Sequence, residues 1–169
     1  NGNSAWRHLS YADLSNAFDR GIALQSSFGS INTDNPDLTD YKKRGGKIIS
    51  FHGLADELIF PQGSINYYNR VIAQMGGLEA VQSFYRFYLI PGMGHGTPNG
   101  TANTSANPPL PSPGQLYKLL TEWVEKGTAP GQLDLTNLDK SISQPVCLYP
   151  KKATYQGGNP LVASSYRCS

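Results

Sequence analysis

Two short phrases in this chain carry residue types that can do chemistry together. Lys47-Ile48-Ile49-Ser50-Phe51 leads into His52-Gly53-Leu54-Ala55-Asp56, and the apolar run Phe84–Ile90 leads into Pro91-Gly92-Met93-Gly94-His95. Each run stops near a glycine and then presents one residue, first a carboxylate and later an imidazole. A carboxylate beside a histidine fixes the ring's tautomer and steadies its charged form. The ring's other nitrogen then takes a proton from a hydroxyl nucleophile and returns it to the leaving group. These are the acid and the base of serine-type ester hydrolysis.

Each residue also has an ordinary reading when taken alone. An aspartate after a strand often caps a turn, and a histidine in a Gly-rich loop often faces solvent. Their order, each behind its own apolar run, favours the catalytic reading. Glu57 is the neighbouring alternative acid, but Gly53-x-x-Asp56 puts Asp56 on the immediate post-strand turn. His52 either hydrogen-bonds the backbone of that turn or lines a substrate pocket, and a packed histidine is favoured over a second base. Ile59 and Phe60, just beyond Asp56, line the acyl side of a pocket or belong to the core. His8 reads as a solvent or interface residue. Three scattered histidines without paired spacing make no metal site.

The elements that must position these residues read as strand, helix, strand. Lys47–Phe51 is a β-branched and aromatic run, and Ser83–Ile90 is a second one. Between them, Pro61 marks a helix start. Ile65, Tyr68, Val71, Ile72 and Met75 recur at helical spacing over Ser64–Met75, Gly76-Gly77 ends that helix, and Leu78–Gln82 adds a turn. This order implies two parallel strands with a right-handed crossover. Ligands of such sheets bind beyond the carboxyl ends of the strands, which places Asp56 and His95 on one rim.

Elsewhere the signals are weaker. Asp13–Phe18 suggests a short helical turn, and Asp37–Arg44 a short helix stopped by Gly45-Gly46. Thr97–Pro113 is a long loop rich in Pro, Asn and Thr. Gly114–Lys126 is amphipathic, with Leu116, Leu119, Leu120, Trp123 and Val124 on one face. The remainder reads as a tail with little regular structure.

The nucleophile is missing. A serine on a strand-to-helix elbow is signed by Gly-x-Ser-x-Gly, and no serine here has that context. Ser27-Phe28-Gly29-Ser30 comes closest and lacks the first glycine. The order nucleophile, acid, base is that of the α/β-hydrolases. The serine should therefore precede Asp56 by several strands and helices, and the first 55 residues show no central-strand pattern. The expectation is an α/β chain, residues 1–169, forming the C-terminal portion of one α/β-hydrolase domain. It would supply the last two parallel core strands with their crossover helix and a disulfide-tied tail, the serine lying on a removed or separate N-terminal piece. The opening Asn1-Gly2-Asn3-Ser4, with neither Met nor a signal pattern, agrees with a mature or excised segment.

Composition bounds the setting. Only 15% of residues are charged, and Tyr, Gly, Pro, Ser and Asn are abundant, which suggests a secreted protein. A net charge of +2 is too small to imply nucleic acid. No apolar stretch approaches the roughly 20 residues of a membrane span. Cys147 and Cys168 fit no redox or zinc spacing. In a secreted protein they pair most simply as a disulfide, with two buried free thiols as the alternative. Asn99-Gly100-Thr101 and Asn103-Thr104-Ser105 are glycosylation sequons in a surface loop.

From about Asp13 to its end the chain resembles the C-terminal part of the tannase/feruloyl esterase family. The hydrolase phrases at residues 52–56 and 91–95 are general, and the specific marks surround them. They are Asn35-Pro36-Asp37-Leu38, Lys43-Arg44-Gly45-Gly46-Lys47, Pro61-Gln62-Gly63-Ser64-Ile65-Asn66-Tyr67-Tyr68, Trp123-Val124-Glu125-Lys126-Gly127-Thr128-Ala129-Pro130, and the ending from Gln144-Pro145-Val146-Cys147 to Cys168. The resemblance implies secreted serine esterases that cleave feruloyl, related hydroxycinnamoyl or galloyl esters of plant origin. Asp56 and His95 would be the triad acid and base, and the tail cysteines match a pair typically bridged. It also implies an inserted lid that often binds calcium, which would lie upstream of this chain. In one departure, the family usually has a Cys directly after the histidine, bridged to a Cys before the nucleophile, and here Gly96 takes that place.

The function expected is a serine-type carboxylic ester hydrolase, with no cofactor in this chain and the N-terminal part of the same precursor as partner. The alternative is a noncatalytic processed fragment whose role is assembly with that part. A small carbohydrate-binding module using exposed Tyr and Trp residues is a third reading, opposed by the two catalytic phrases.

Overall fold

The computed structural model describes residues 4–29, 32–96 and 102–169. The chain divides into two units, residues 1–35 and 36–169.

In the first unit, helix α1 spans Tyr11–Ala23 between two 3-10 turns, Ser4–His8 and Gln25–Phe28. This is longer than the short turn expected at Asp13–Phe18. A capping box explains its start. The Asp13 amide donates to Ser10 Oγ at 3.2 Å, and the Ser10 amide donates to Asp13 Oδ2 at 2.9 Å, so two otherwise orphaned N–H groups are satisfied. None of the helix's residues is buried within the chain, and His8 is exposed.

The second unit is built on two parallel strands, β1 (Ile48–Gly53) and β2 (Tyr85–Ile90), in register from Ile48↔Tyr85 to Gly53↔Ile90. A short helix α2 (Thr39–Lys43) precedes them. The crossover consists of α3 (Pro61–Gln74), with Pro61 at the first turn as read from sequence, and α4 (Leu78–Gln82). Alternation along β2 divides the core in two. Tyr85 and Phe87 pack with Phe84, Tyr68 and Val71 of α3, and Val81 of α4. Tyr88 and Ile90 point the other way, against the tail and Leu116 and Leu119 of α5 (Gln115–Lys126). Both faces of β2 are thus covered, as a nearly continuous apolar strand requires.

The tail is more ordered than its sequence suggests. Strand β3 (Leu133–Thr136) pairs antiparallel with β4 (Ser143–Val146), and β5 (Ala153–Tyr155) with β6 (Tyr166–Cys168). Leu133 and Leu135 turn into the core while Asp134 and Thr136 face out, so a four-residue alternation was enough to build a strand. Cys147 and Cys168 are disulfide-bonded, Cα to Cα 5.6 Å. Just past Cys147, Leu148 bridges to Tyr88 and the Tyr149 amide donates to the Phe87 carbonyl at 3.0 Å, closing the outer edge of β2. The described part of the long loop holds a 3-10 turn at Thr104–Ala106. Asn103 is exposed there, and Asn99 lies outside the described residues. Among the described residues, no helix is long and apolar enough to cross a membrane.

Candidate active site

Asp56 and His95 meet at the carboxyl ends of the two parallel strands. The register sets Gly53 beside Ile90, so both following turns leave the sheet on the same edge. Main-chain bonds lace the turns together. The Leu54 amide donates to the Ile90 carbonyl and the Ala55 amide to the Met93 carbonyl, both at 2.9 Å. A Cβ at Gly53 would collide with that Met93 carbonyl, so glycine is what allows the turns to approach. Gly92 turns with φ +73°, in the left-handed region, and carries the chain round toward His95.

His95 Nδ1 lies 3.1 Å from Asp56 Oδ1 and 3.2 Å from Oδ2. An ionised carboxylate can only accept, so Nδ1 carries the proton. Nε2 on the far side of the ring has no hydrogen bond among the described residues, and the side chain is 41% exposed. The Asp56 side chain is only 8% exposed. Its Oδ1 also accepts from the amides of Leu58 at 3.0 Å and Ile59 at 2.9 Å. Desolvation pushes this carboxyl up, but the Ile59 and Leu58 amides and His95 together outweigh it and hold the group down at about 2. A carboxylate charged at neutral pH, beside a histidine whose second nitrogen has no hydrogen bond among the described residues, can serve as orienter and base. Glu57 takes no part in this contact.

The other site residues have separate fates. His52 does not sit free in a pocket. Its Nδ1 lies 2.8 Å from Ser64 Oγ on α3, and its Nε2 lies 2.8 Å from the Ile59 carbonyl and 3.2 Å from Asp56 Oδ2. Ile59 presents its side chain to solvent, as do Leu58 and Phe60. Cys147 and Cys168 hold the tail, away from this chemistry. A side chain at Gly96 would meet open space, so nothing in the structure explains glycine there. Among the described residues, no group of three or more His, Cys, Asp or Glu side chains could hold a metal.

Sequence reasoning missed Ser64 and the Met93 carbonyl. Ser64 is one polar residue in a helix's first turn, and a backbone carbonyl leaves no mark in a sequence.

The family profile described as tannase and feruloyl esterase matches residues 7–169. A probable feruloyl esterase of Arthroderma benhamiae is 39% identical over 170 residues, covering 95% of this chain and 29% of that protein. A tannase of Aspergillus oryzae is 32% identical over 149 residues, 82% of this chain and 24% of that one. Among solved structures, an esterase from Aspergillus oryzae superposes with a TM-score of 0.75 at 29% identity, over 89% of this chain and 32% of that chain. Feruloyl esterase B from the same organism gives 0.66 at 29% identity, over 80% and 29%. The chain spans less than a third of the length of these relatives. On this match over nearly its whole length, the chain belongs to the tannase and feruloyl esterase family.

Proposed function

We propose that these residues are the acid-and-base end of a serine carboxylesterase that cleaves feruloyl, related hydroxycinnamoyl or galloyl esters. The observation that carries the reading is the Asp56–His95 pair, formed where two parallel strands end, with no hydrogen bond to the histidine's Nε2 among the described residues. The serine and the donors that stabilise the oxyanion come from a part of the protein outside residues 1–169, the C-terminal portion of one α/β-hydrolase domain. That part is the partner this chain works with. The coverage of under a third of each relative supports this division.

The Asp56–His95 contact supports the following steps. His95 Nε2 takes the serine proton as the serine oxygen attacks the ester carbonyl. The imidazolium is held against the Asp56 carboxylate and returns the proton to the departing alcohol. Water then attacks the acyl-serine, His95 again taking and giving one proton, which releases the aromatic acid and restores the serine. The disulfide and the low charge content support a secreted protein, with Asn99 and Asn103 as sites for glycans.

The complete protein should hydrolyse methyl ferulate, methyl gallate or a short aryl ester, and the 169-residue chain alone should not. His95→Ala in the complete protein lowers kcat by several orders of magnitude, because triad members act as a unit. Asp56→Asn lowers it about 10⁴-fold by removing the charge that fixes the tautomer. A complete protein inactive on all three esters would sink the enzymatic reading and leave assembly as the role. Activity unchanged in His95→Ala would remove this pair from the mechanism.

A further inference from the structure

The Asp56 carboxylate is bracketed by two histidines. His95 approaches one side, and His52 approaches Oδ2 with Nε2 at 3.2 Å. His52 is 12% exposed at the end of β1, under the loop that carries Asp56. Its Nε2 faces the Ile59 carbonyl at 2.8 Å, and a carbonyl can only accept, so this nitrogen carries a proton. In the neutral ring Nδ1 is then the acceptor, and the Ser64 hydroxyl at 2.8 Å donates to it.

Ile59 closes the circuit. Its amide donates to Asp56 Oδ1 at 2.9 Å while its carbonyl takes the His52 proton. The loop is therefore wound around the His52 ring, and the ring is pinned to α3 through Ser64. With Oδ1 held by two amides, one of them from the residue whose carbonyl His52 holds, rotation of the carboxylate is restrained through the loop. Among the described residues this carboxylate alone aligns the His95 ring, so error in its plane passes directly to the base.

We propose that His52 is a positioning residue for the triad acid. Its Nε2–H, donated to the Ile59 carbonyl beside the Asp56 carboxylate, holds the residue whose amide binds Oδ1 and so sets the plane in which Asp56 receives His95. Ser64 holds His52 in the tautomer this requires. The inference rests on the esterase reading for its kinetic consequence but not for its structural one.

The test uses the complete protein with His52→Phe, His52→Gln and Ser64→Ala. Glutamine places an amide N–H near the position of Nε2, and phenylalanine keeps the ring without a donor. Two readouts are taken: kcat and KM on an aryl ester, and the downfield NMR resonance of the His95 Nδ1 proton held by Asp56. In His52→Phe the expected results are a kcat lower by about 10- to 100-fold, as misplacement of a catalytic group costs, a nearly unchanged KM, and loss of the resonance. His52→Gln restores both. A merely structural histidine would lower the melting temperature in both variants alike and would not separate kcat from KM. Full kcat and an intact resonance in His52→Phe would overturn the proposal. If that variant does not fold, Ser64→Ala decides, because it removes only the Nδ1 partner. A lower kcat at constant KM with a weakened resonance supports the proposal, and wild-type values overturn it. Should the unaltered protein cleave no ester, the esterase reading fails, and the resonance alone decides. Loss in the phenylalanine variant and return in the glutamine variant support positioning, and persistence in both overturns it.

Discussion

The carbonyl of Met93 occupies the space that a side chain at Gly53 would need, and the amide of Ala55 bonds to it at 2.9 Å. The turn that carries Asp56 and the turn that carries His95 are in main-chain contact before either side chain is considered. Gly53→Ala must push Met93 away, and overpacking of this kind costs about 1–3 kcal/mol. Urea unfolding of the complete protein should show that loss. Turnover should fall as well, because the displaced turn carries His95. An alanine variant with unchanged midpoint and turnover would mean that the two turns yield freely.

Acid should weaken the fold through Asp56 in a defined window. The folded protein holds this carboxyl at about 2 against an ordinary value of 3.8. A depressed value stabilises the folded state above the ordinary pKa, and the contribution disappears as pH falls through the folded one. Between about pH 4 and 2 the urea midpoint should therefore drop less steeply in Asp56→Asn than in the unaltered protein. Asp139, held at about 2 chiefly by the Ser141 hydroxyl, accounts for part of the drop that remains. Equal slopes would show that Asp56 is not held by the amides and His95.

Alkali should act through two buried phenols. Tyr68 and Tyr88 are fully buried. Burial pushes Tyr88 up to about 12 and raises Tyr68 well above the ordinary range. A raised value means stability in place below pH 10, lost as pH climbs through 12. Absorbance titration should show these tyrosines ionising only as the protein unfolds. Normal, reversible titration of all tyrosines near pH 10 would contradict the burial.

The disulfide closes a loop between residues 21 apart. In the chain-entropy account such a closure stabilises by about 3 kcal/mol. Changing Cys147 and Cys168 together to alanine should lower stability by about that amount in denaturant melts. kcat should stay within about twofold, since neither sulfur touches the Asp56–His95 pair. A large fall in kcat in protein that remains folded would tie the tail to the site.

The contact of Asp56 with His95 was legible because each follows a strand end marked by glycine, and two parallel strands force their ends to one rim. Asp56 over Glu57 was legible for the same reason. That His52 packs and bonds the backbone of the turn was legible too, but not its partner, because that depends on where a loop seven residues later places one carbonyl. The tail hairpins were not read from the sequence. Leu133 and Leu135 alternate with Asp134 and Thr136, but four residues are too few to stand out. Helix α1 was understated because its apolar periodicity is weak, although Ser10-x-x-Asp13 spells its cap.

Leu148 and Tyr149 stopper the outer edge of β2. Among the described residues, β1 pairs only with β2. A sheet stoppered on one side grows in one direction. Any further strand has to join along β1, next to the residue that leads into Asp56 and not next to the one that leads into His95. The tail thus does for this sheet what a selvedge does for cloth, and fixes the side from which the rest is woven on.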